Sequence, residues 1–362
     1  MPKDKAPSLY FVNAPIDFLF IGGLSLLTFA FFNLPWSGVS HDSVIGLATF
    51  LLWVGNWPHF AASNYRLYSN RNNIRQYPIT SLVVPFVILA GVVGSFLSPQ
   101  TVAPFWVKLF LLWSPFHFSG QTVGVTLLYA RRAGIVLSPW ERYSFAAFIF
   151  LTFLFPNWAA DVNPVGGGYY GIEYPGLGVP NWFSFTAEGL IVVMAIVLAV
   201  NFARRYQDKK ARLPWVVLLP AVSQYVWFVQ GRSTQNFYIL VPFFHSIQYL
   251  FIAWVLQLKL KKDEQRISGS RRYVTLESLR WGAVNVLGGI TLFYLFPIFC
   301  TWFGYSLDFA TGVAIVGVQV HHFFVDGVIW KLRNPAVSAP LMGNFADLLK
   351  PTRSRRTLRS AA

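Results

Sequence analysis

The sequence contains little charge and only one cysteine. Of its 362 residues, 12% are charged, about half the share found in an ordinary soluble domain. In contrast, 55% are hydrophobic, and the mean hydropathy is +0.48. A water-soluble protein could not bury this much apolar surface, so the composition indicates an integral membrane protein. With Cys300 alone, the chain cannot form an internal disulfide bond or a metal site built from cysteines.

Acidic residues are also scarce, with 14 Asp and Glu against 29 Lys and Arg and a net charge of +15. The basic residues gather in short connectors between apolar segments, a position that suits anionic lipid headgroups. We therefore expect the lipid bilayer, and not nucleic acid, to be the partner of this charge. No segment has the spacing of a soluble zinc site, a P-loop or a dinucleotide-binding motif. The sequence predicts no particular oligomeric state.

Ten apolar segments reach or approach the length of about 17 to 25 residues that a helix needs to cross a bilayer. They are Ile16–Phe32, Val44–Tyr65, Ile79–Leu97, Phe105–Ala130, Tyr143–Phe155, Phe185–Phe202, Leu213–Phe228, Phe237–Leu258, Trp281–Phe303 and Phe309–Trp330. The fifth and the seventh are the shortest. The sequence therefore predicts an all-α fold, a polytopic transmembrane helical bundle of about ten spans.

The connectors between these segments alternate in charge. Those rich in Lys and Arg are Arg66–Arg75, Arg131–Arg142, Arg204–Arg212, Lys259–Arg272 and Lys331–Arg359, whereas those near Ser37, Ser98, Gly166 and Tyr305 contain neither. Arg232 is the only positive charge in the connectors predicted to lie outside. Short cytoplasmic loops are enriched in basic residues, so both termini are predicted cytoplasmic, in a membrane such as the bacterial inner membrane. We expect residues 1–350 to form one transmembrane domain, residues 351–362 a basic cytoplasmic tail, and no cleavable signal before the first span.

Five of the six histidines fall within predicted spans. They are His59 in the second, His117 in the fourth, His245 in the eighth, and His321 and His322 in the tenth. A titratable side chain inside a membrane is costly unless it faces the bundle interior and finds a partner. One such histidine alone is as well explained by an interhelical hydrogen bond. Four spans that each carry one predict a shared metal or cofactor site, with His59, His117, His245 and His322 as ligands.

Each of these histidines is followed about one helical turn later by a polar side chain. These residues are Ser63 and Asn64 after His59, Gln121 after His117, Gln248 after His245, and Asp326 after His322. Helical neighbours three or four residues apart share a face, so we expect these side chains to orient the imidazoles as second-shell partners. Asp326 also shares a face more closely with His322 than with His321, which predicts an interhelical hydrogen bond for His321.

Two carboxylates lie near the predicted inner boundary. Asp326 is interpreted as the catalytic residue of the site, acting as a metal ligand, as a base, or as the partner of a nearby Lys or Arg. Asp17 either caps the first helix, where its charge suits the positive helix end, or belongs to the second shell of the site.

Histidine ligation without cysteine, with a carboxylate available, favours non-haem iron and is compatible with zinc or copper. Haem with two axial histidines is a further alternative. A redox metal among apolar helices would act on a lipophilic substrate from the bilayer, such as an isoprenoid, a carotenoid or a lipid, with oxygen as co-substrate. This interpretation predicts a membrane oxygenase or desaturase-like enzyme. The competing classes are a transporter or channel that uses the histidines for proton or ion coupling, and a non-catalytic subunit that binds haem or a pigment.

The segments WPHFAAS, FHFSGQ and FFHSIQYL resemble the histidine motifs of the Brp/Blh family of membrane carotene dioxygenases, whose iron is held by histidines from different helices. By motif position, the resemblance implies an iron-ligand role for His59, His117 and His245. The chain departs from that pattern at Tyr249, where the family has a second histidine. The integral-membrane desaturases and hydroxylases use HxxxH and HxxHH boxes, and this chain has neither.

Overall fold

The computed structural model describes residues 8–34, 38–154, 158, 161–162, 165–209 and 213–350. The predicted basic tail, residues 351–362, lies outside this part of the chain. The structure is 80% helical with almost no strand, which confirms the helical fold class.

The secondary structure is numbered here in chain order. The helices are α1 (Ala14–Phe32), α2 (His41–Tyr68), α3 (Arg71–Gln76), α4 (Ile79–Leu97), α5 (Val102–Arg132), α6 (Pro139–Leu154), α7 (Asn181–Lys209), α8 (Trp215–Tyr225), α9 (Val241–Glu264), α10 (Arg271–Thr301), α11 (Leu307–Ile329) and α12 (Pro335–Met342). Short helical turns lie at Gly231–Ser233, Gln235–Tyr238 and Phe345–Leu348. The strands β1 (Gly167–Tyr169) and β2 (Ile172–Tyr174) pair antiparallel.

Within the described residues, seven helices are long and apolar enough to cross a membrane. They are α1, α2, α4, α7, α10, α11 and the segment Asn236–Glu264 that contains α9. These helices are compatible with a multi-pass integral membrane protein. Many large apolar side chains on them are exposed, such as Phe86 on α4 and Phe185 on α7.

Three predicted spans correspond to helices outside these seven. The helix α5 has 31 residues but carries Lys108, His117 and Gln121 along its length. The helices α6, with 16 residues, and α8, with 11 residues and a wide turn at Val226–Gln230, extend only about 24 Å at 1.5 Å per residue. The predicted basic connector at Arg204–Arg212 also differs, because α7 continues to Lys209, where cationic side chains suit the negative end of a helix.

Three of the long helices begin at a serine. The side chains of Ser40, Ser270 and Ser306 accept hydrogen bonds from backbone N–H groups three residues further on, at the starts of α2, α10 and α11. Such caps satisfy a donor that has no partner within the helix. The sequence thus sets the first turn of the helices that carry His59 and His322.

Three prolines coincide with a widened helical turn. Pro58, Pro85 and Pro297 each lie two residues after a π-helical turn, in α2, α4 and α10 respectively. Proline cannot donate to the carbonyl four residues back, and its ring collides with that carbonyl, so one extra residue in the turn relieves the conflict. In α2 the turn is Leu52–Asn56, directly before the segment that holds His59.

The helices α9 and α11 form the centre of the bundle. In each, 67% of the apolar membrane-length segment is buried, whereas the figure for α7 is only 17%. On the α10 side, α2 approaches closely because α10 has glycine at 288 and 289; a Cβ at Gly289 would lie 2.8 Å from that of Trp57. Small residues permit such close contact between membrane helices. Histidines on α2, α9 and α11 are thereby brought to the bundle interior.

The hairpin of β1 and β2 covers one end of α5 and α11. Its turn residues, Tyr170 and Gly171, both have positive φ, at 48° and 73°, as a tight two-residue hairpin requires. Ile172 is buried against residues of α4, α5 and α11, and the Tyr169 ring lies 5.6 Å from that of Phe110. The hairpin therefore closes the bundle at the end opposite Arg132.

The chain segments near the two termini meet at the end of α5. The Arg132 guanidinium donates to the carbonyls of Leu9 and Tyr10 and also to those of Leu341 and Gly343. A second link joins the Ser8 amide to the Asn344 side chain at 2.6 Å. The segment before α1 and the segment after α12 therefore lie at the same end of the bundle.

Candidate metal centre

Three imidazoles and one carboxylate converge in the bundle interior. The Nε2 atom of His322 lies 3.0 Å from Nε2 of His59 and 3.0 Å from Nε2 of His117. The Asp326 Oδ2 atom lies 3.4 Å from His322 Nε2 and 3.8 Å from His117 Nε2. One ligand atom from each of the four residues lies within 4.8 Å of all the others, so the group could hold a metal ion.

The four residues come from three helices, α2, α5 and α11. His322 and Asp326 lie one turn apart on α11 and share a face, as helical periodicity predicts. His59 and His322 are fully buried, and the side chains of His117 and Asp326 are only 9% and 7% exposed. Apolar rings enclose the group, with Phe60 against His59 and His322, and Phe323 against His117.

A serine on α9 contacts the far nitrogen of His59. The Ser246 hydroxyl lies 2.8 Å from the Pro242 carbonyl, to which it can only donate, and 3.0 Å from His59 Nδ1. These two contacts favour the tautomer with the hydrogen on Nδ1, which leaves Nε2 as the atom that faces His322. A hydrogen bond on the far nitrogen is the usual way in which a protein orients a metal-binding imidazole.

A second chain of hydrogen bonds orients the carboxylate. The Tyr249 hydroxyl on α9 donates to Asp326 Oδ1 at 3.2 Å, and the Ser63 hydroxyl on α2 lies 2.6 Å from the same tyrosine oxygen. With Oδ1 occupied, Oδ2 is the oxygen that faces the imidazoles of His322 and His117. His59 and Asp326 thus each have a partner that sets their direction, whereas Nδ1 of His322 is buried with no hydrogen-bond partner among the described residues.

The spacing of the four atoms is compatible with a coordination sphere. With metal–ligand bonds of about 2.0–2.2 Å, adjacent donors of a tetrahedron or octahedron lie roughly 2.8–3.6 Å apart, and three of the four contacts fall in that range. In a hydrogen-bond network without an ion, the single His322 Nε2 atom would have to form hydrogen bonds with both His59 and His117. A neutral imidazole nitrogen carries a single hydrogen or a single lone pair, so it suits only one of them.

His245 lies beside the group but is not part of it. Its ring is stacked on Phe118 at 3.8 Å between centroids, and the centroids of His59 and His117 lie 5.1 and 5.3 Å away. Both ring nitrogens of His245 are buried, and neither has a hydrogen-bond partner among the described residues. Of the four histidines predicted as ligands, the structure brings together His59, His117 and His322 but not His245, and it adds Asp326 to the group.

The predicted glutamines lie near the centre without touching the imidazoles. Gln121 donates to the backbone carbonyl of His245 at 3.1 Å and to the side chain of Gln248 at 2.8 Å. Gln248 in turn donates to the carbonyl of Ile21 on α1. These bonds join α1, α5 and α9, so both residues hold the helices that carry the histidines.

Asn64 and His321 point away from the group. The Asn64 side chain donates to the carbonyl of Phe60 on its own helix at 3.0 Å. The His321 Nε2 atom lies 3.3 Å from the hydroxyl of Tyr68 on α2, with the two rings stacked. The structure therefore brings neither of them to the convergence point.

Asp17 also has partners elsewhere. Its carboxylate accepts from the amides of Phe11 and Val12 and from the hydroxyl of Tyr129. None of these belongs to the histidine group. Asp17 fixes the segment before α1 to α5, so the structure gives it a structural contact in place of the second-shell position.

Sequence reasoning missed Ser246 and Tyr249 as partners of the group. Ser246 follows His245 directly, and Tyr249 is four residues after it, so both were adjacent to a singled-out position. Their partners, His59 and Asp326, belong to other helices. Spacing along one helix contains no signal for contacts of that kind.

Two cavities flank the group. The first, of about 300 Å³, is lined by residues of α5 and α11 that include His117, Asp326 and Gln121. The second, of about 570 Å³, lies towards the hairpin and is lined by Tyr169, Tyr170 and mostly apolar residues, together with His245. Each cavity therefore reaches an imidazole of the interior.

Comparison with known proteins gives no relative. No family model, curated protein or solved structure matches the chain.

Proposed function

We propose that the chain is an integral membrane metalloenzyme, a non-haem iron oxygenase or desaturase-like enzyme that acts on a lipophilic substrate. His59, His117, His322 and Asp326 are the proposed ligands. The single observation that carries the proposal is the convergence of these four side chains, from three helices, with ligand atoms within 4.8 Å of one another. The Brp/Blh resemblance points to the same class of reaction.

Three imidazoles and one carboxylate form a donor set typical of non-haem iron, and zinc or copper would also accept it. Haem fits this donor set less well, because haem iron takes at most two ligands from the protein, and four side-chain atoms converge here. Iron is proposed first because a buried redox metal with oxygen as co-substrate can oxidise the apolar part of a lipophilic substrate. The ion, once bound, would supply the oxidising chemistry.

The residues around the ion would position and protect the reaction. Ser246 holds the lone pair of His59 towards the centre, and Tyr249 holds Asp326. With Oδ1 bonded to Tyr249, Asp326 presents Oδ2 to the proposed ion, and its side chain also lines the smaller cavity. The phenyl rings of Phe60 and Phe323 pack against the imidazoles of His322 and His117 respectively.

We propose further that the chain crosses the membrane ten times, with both termini in the cytoplasm of a bacterial cell. The support is Arg132, which binds Leu9 and Tyr10 on one side and Leu341 and Gly343 on the other. An odd number of crossings would separate these segments by the thickness of the bilayer. The number is even, at ten, if α5, α6 and α8 cross the membrane in addition to the seven apolar helices. These three helices are partly enclosed by protein, and an enclosed helix needs less apolar surface.

Metal analysis of the purified protein tests the proposal. We expect about one iron per chain by plasma mass spectrometry, and a loss of metal in His59→Ala, His117→Ala and Asp326→Ala. Ser246→Ala should keep the fold and bind the metal roughly 10- to 100-fold more weakly, because it removes only the partner that orients His59. His41→Ala is the matched control, because His41 is exposed and bonds to Asn236 away from the centre.

Protein that contains no metal, and takes up none from iron, zinc or copper salts, would overturn the proposal and favour a proton relay. Unchanged metal content in all three ligand variants would do the same. Zinc in place of iron would retain the site and exclude the redox reaction.

A further inference from the structure

The helices α5 and α11 separate next to the proposed centre. On one side of the centre the two helices are in contact through Trp113, whose ring lies 5.8 Å from that of Phe323 and 5.0 Å from that of Phe324. From this contact towards Lys331, the smaller cavity opens between the two helices. At its mouth Phe116 is 50% exposed, and Gly120 and Gly327 are exposed as well. The cavity is therefore a lateral groove between α5 and α11 that leads from the surface to the centre.

Three glycines keep this groove open. A Cβ atom at Gly120, Gly124 or Gly327 would meet no atom within 4 Å. On α5 the lining runs from Trp113 to Leu128 along one helical face, a length of about 22 Å at 1.5 Å per residue. A long groove of only about 300 Å³ accommodates one extended chain and is too narrow for two.

The two ends of the groove differ in charge. Lys331 lines it beyond the end of α11, and Arg131 lies at the same end, with its guanidinium 3.4 Å from the Leu332 carbonyl. The other end is formed by aromatic rings at Trp113 and Phe116. Asp326 is the one carboxylate in the lining, and it lies between the two ends beside His117.

From this arrangement we infer that the groove binds a single-chain amphiphile with an anionic head, a long-chain carboxylate, with the head at Lys331 and the chain along Gly124 and Gly120 past Asp326. The inference rests on the proposed function only in making this molecule the substrate; the binding itself does not require the metal. It narrows the substrate from any lipophilic molecule to one with a charged end. A pure hydrocarbon would leave Lys331 without a partner.

Photolabelling tests the groove directly. The probe is a palmitate analogue with a diazirine midway along its chain, added to the full-length protein in detergent micelles, and the labelled residues are mapped by mass spectrometry. We expect label on residues 113–128 and 323–332, and competition by palmitate but not by hexadecane. Gly124→Leu should fill the groove and reduce that label at least about tenfold. Gly189→Leu is the matched control, because a Cβ at Gly189 on α7 also meets nothing within 4 Å.

The head group is tested separately. Lys331→Gln should weaken competition by palmitate about fivefold, whereas Arg333→Gln, two residues on and outside the lining, should not. Label that maps elsewhere, or that persists in Gly124→Leu, would show that the chain does not bind in the groove. Equal competition in both charge variants would show that Lys331 does not bind an anionic head. Metal content is measured on the same samples. If a metal-free protein is labelled in the groove, the proposed metalloenzyme is refuted and the binding groove is retained. If an iron-loaded protein is not labelled in the groove, the binding groove is refuted and the metalloenzyme is retained.

Discussion

Adjacent residues on α11 have entirely different surroundings. His322 is fully buried and lies 3.0 Å from two other imidazoles, whereas His321 pairs with the Tyr68 hydroxyl at 3.3 Å. Neighbouring positions on a helix point about 100° apart, so both cannot face one centre. The pair therefore offers a comparison in which position, and not residue type, decides the role.

His322→Ala should abolish metal binding and activity, because His322 contacts every other member of the group. His321→Asn should retain the metal and lower the free energy of unfolding by about 1 kcal/mol, the size of one interhelical hydrogen bond in a membrane protein. Metal content and the midpoint of thermal unfolding, measured on both variants, check this. The reverse pattern would mean that α11 is rotated and that Asp326 faces away from the centre.

Spacing along one helix predicted which side chains share a face, but not which of them bond to each other. The spacing of His322 and Asp326 predicted their shared face, and their atoms lie 3.4 Å apart. The spacing of His117 and Gln121 predicted a similar pair, yet Gln121 bonds to α9 instead. A long amide can reach a neighbouring helix as easily as its own, and the sequence does not contain the helix packing that decides between them.

At the scale of the elements, the end of α5 is held by one side chain, Arg132, which donates to four backbone carbonyls. Arg132→Gln should destabilise the protein by about 3 kcal/mol, because it removes a cation that donates to four backbone carbonyls and leaves some of them buried without a donor. Thermal unfolding in detergent measures the loss. Arg131→Gln is the control, since Arg131 is exposed and makes one weak bond, at 3.4 Å, to Leu332.

A loss for Arg131→Gln equal to that for Arg132→Gln would contradict this assignment and indicate a general effect of charge at this end. The sequence predicted both arginines only as part of a basic connector. It could not distinguish them, because the difference lies in which one faces the segments before α1 and after α12.

Some helix positions were predicted closely, such as Ile79–Leu97, which agrees at both ends with α4, whereas α7 continues to Lys209 beyond the predicted end at Phe202. The predicted spans differ from the seven apolar helices where helices are enclosed by protein. The segment around α8 contains Gln224, fully buried and bonded to Ser119 and Thr152 on neighbouring helices. Such a helix lacks the continuous apolar surface by which a span is recognised.

At the scale of the whole molecule, the number of crossings decides on which side the loop after α9 lies. With ten crossings, Ser268 lies on the same side as Asp208; with only the seven apolar helices, α8 would not cross and Ser268 would lie on the opposite side. We expect Ser268→Cys and Asp208→Cys, in a Cys300→Ser background, to resist an impermeant maleimide added to intact cells. Glu173→Cys, in the exposed hairpin, should react and serves as the positive control.

Reaction of Ser268→Cys with the impermeant reagent would reduce the number of crossings and place the basic loop outside. The structure argues for the protected outcome, because Lys262 donates to the Asp347 carbonyl at 2.6 Å. That bond places the loop after α9 at the same end as the segments held by Arg132.

The π-helical turn at Leu52–Asn56 divides α2 into two helical segments that are rotated relative to each other about the helix axis. The extra residue in this turn rotates all later side chains by about 100°. His59 lies only three residues after the turn. The extra residue of this turn therefore helps to set the direction in which the His59 imidazole points. The length of residues 41–58 is therefore as constrained as the histidine itself, because losing one residue there would turn His59 away from the centre although every proposed ligand would still be present in the sequence.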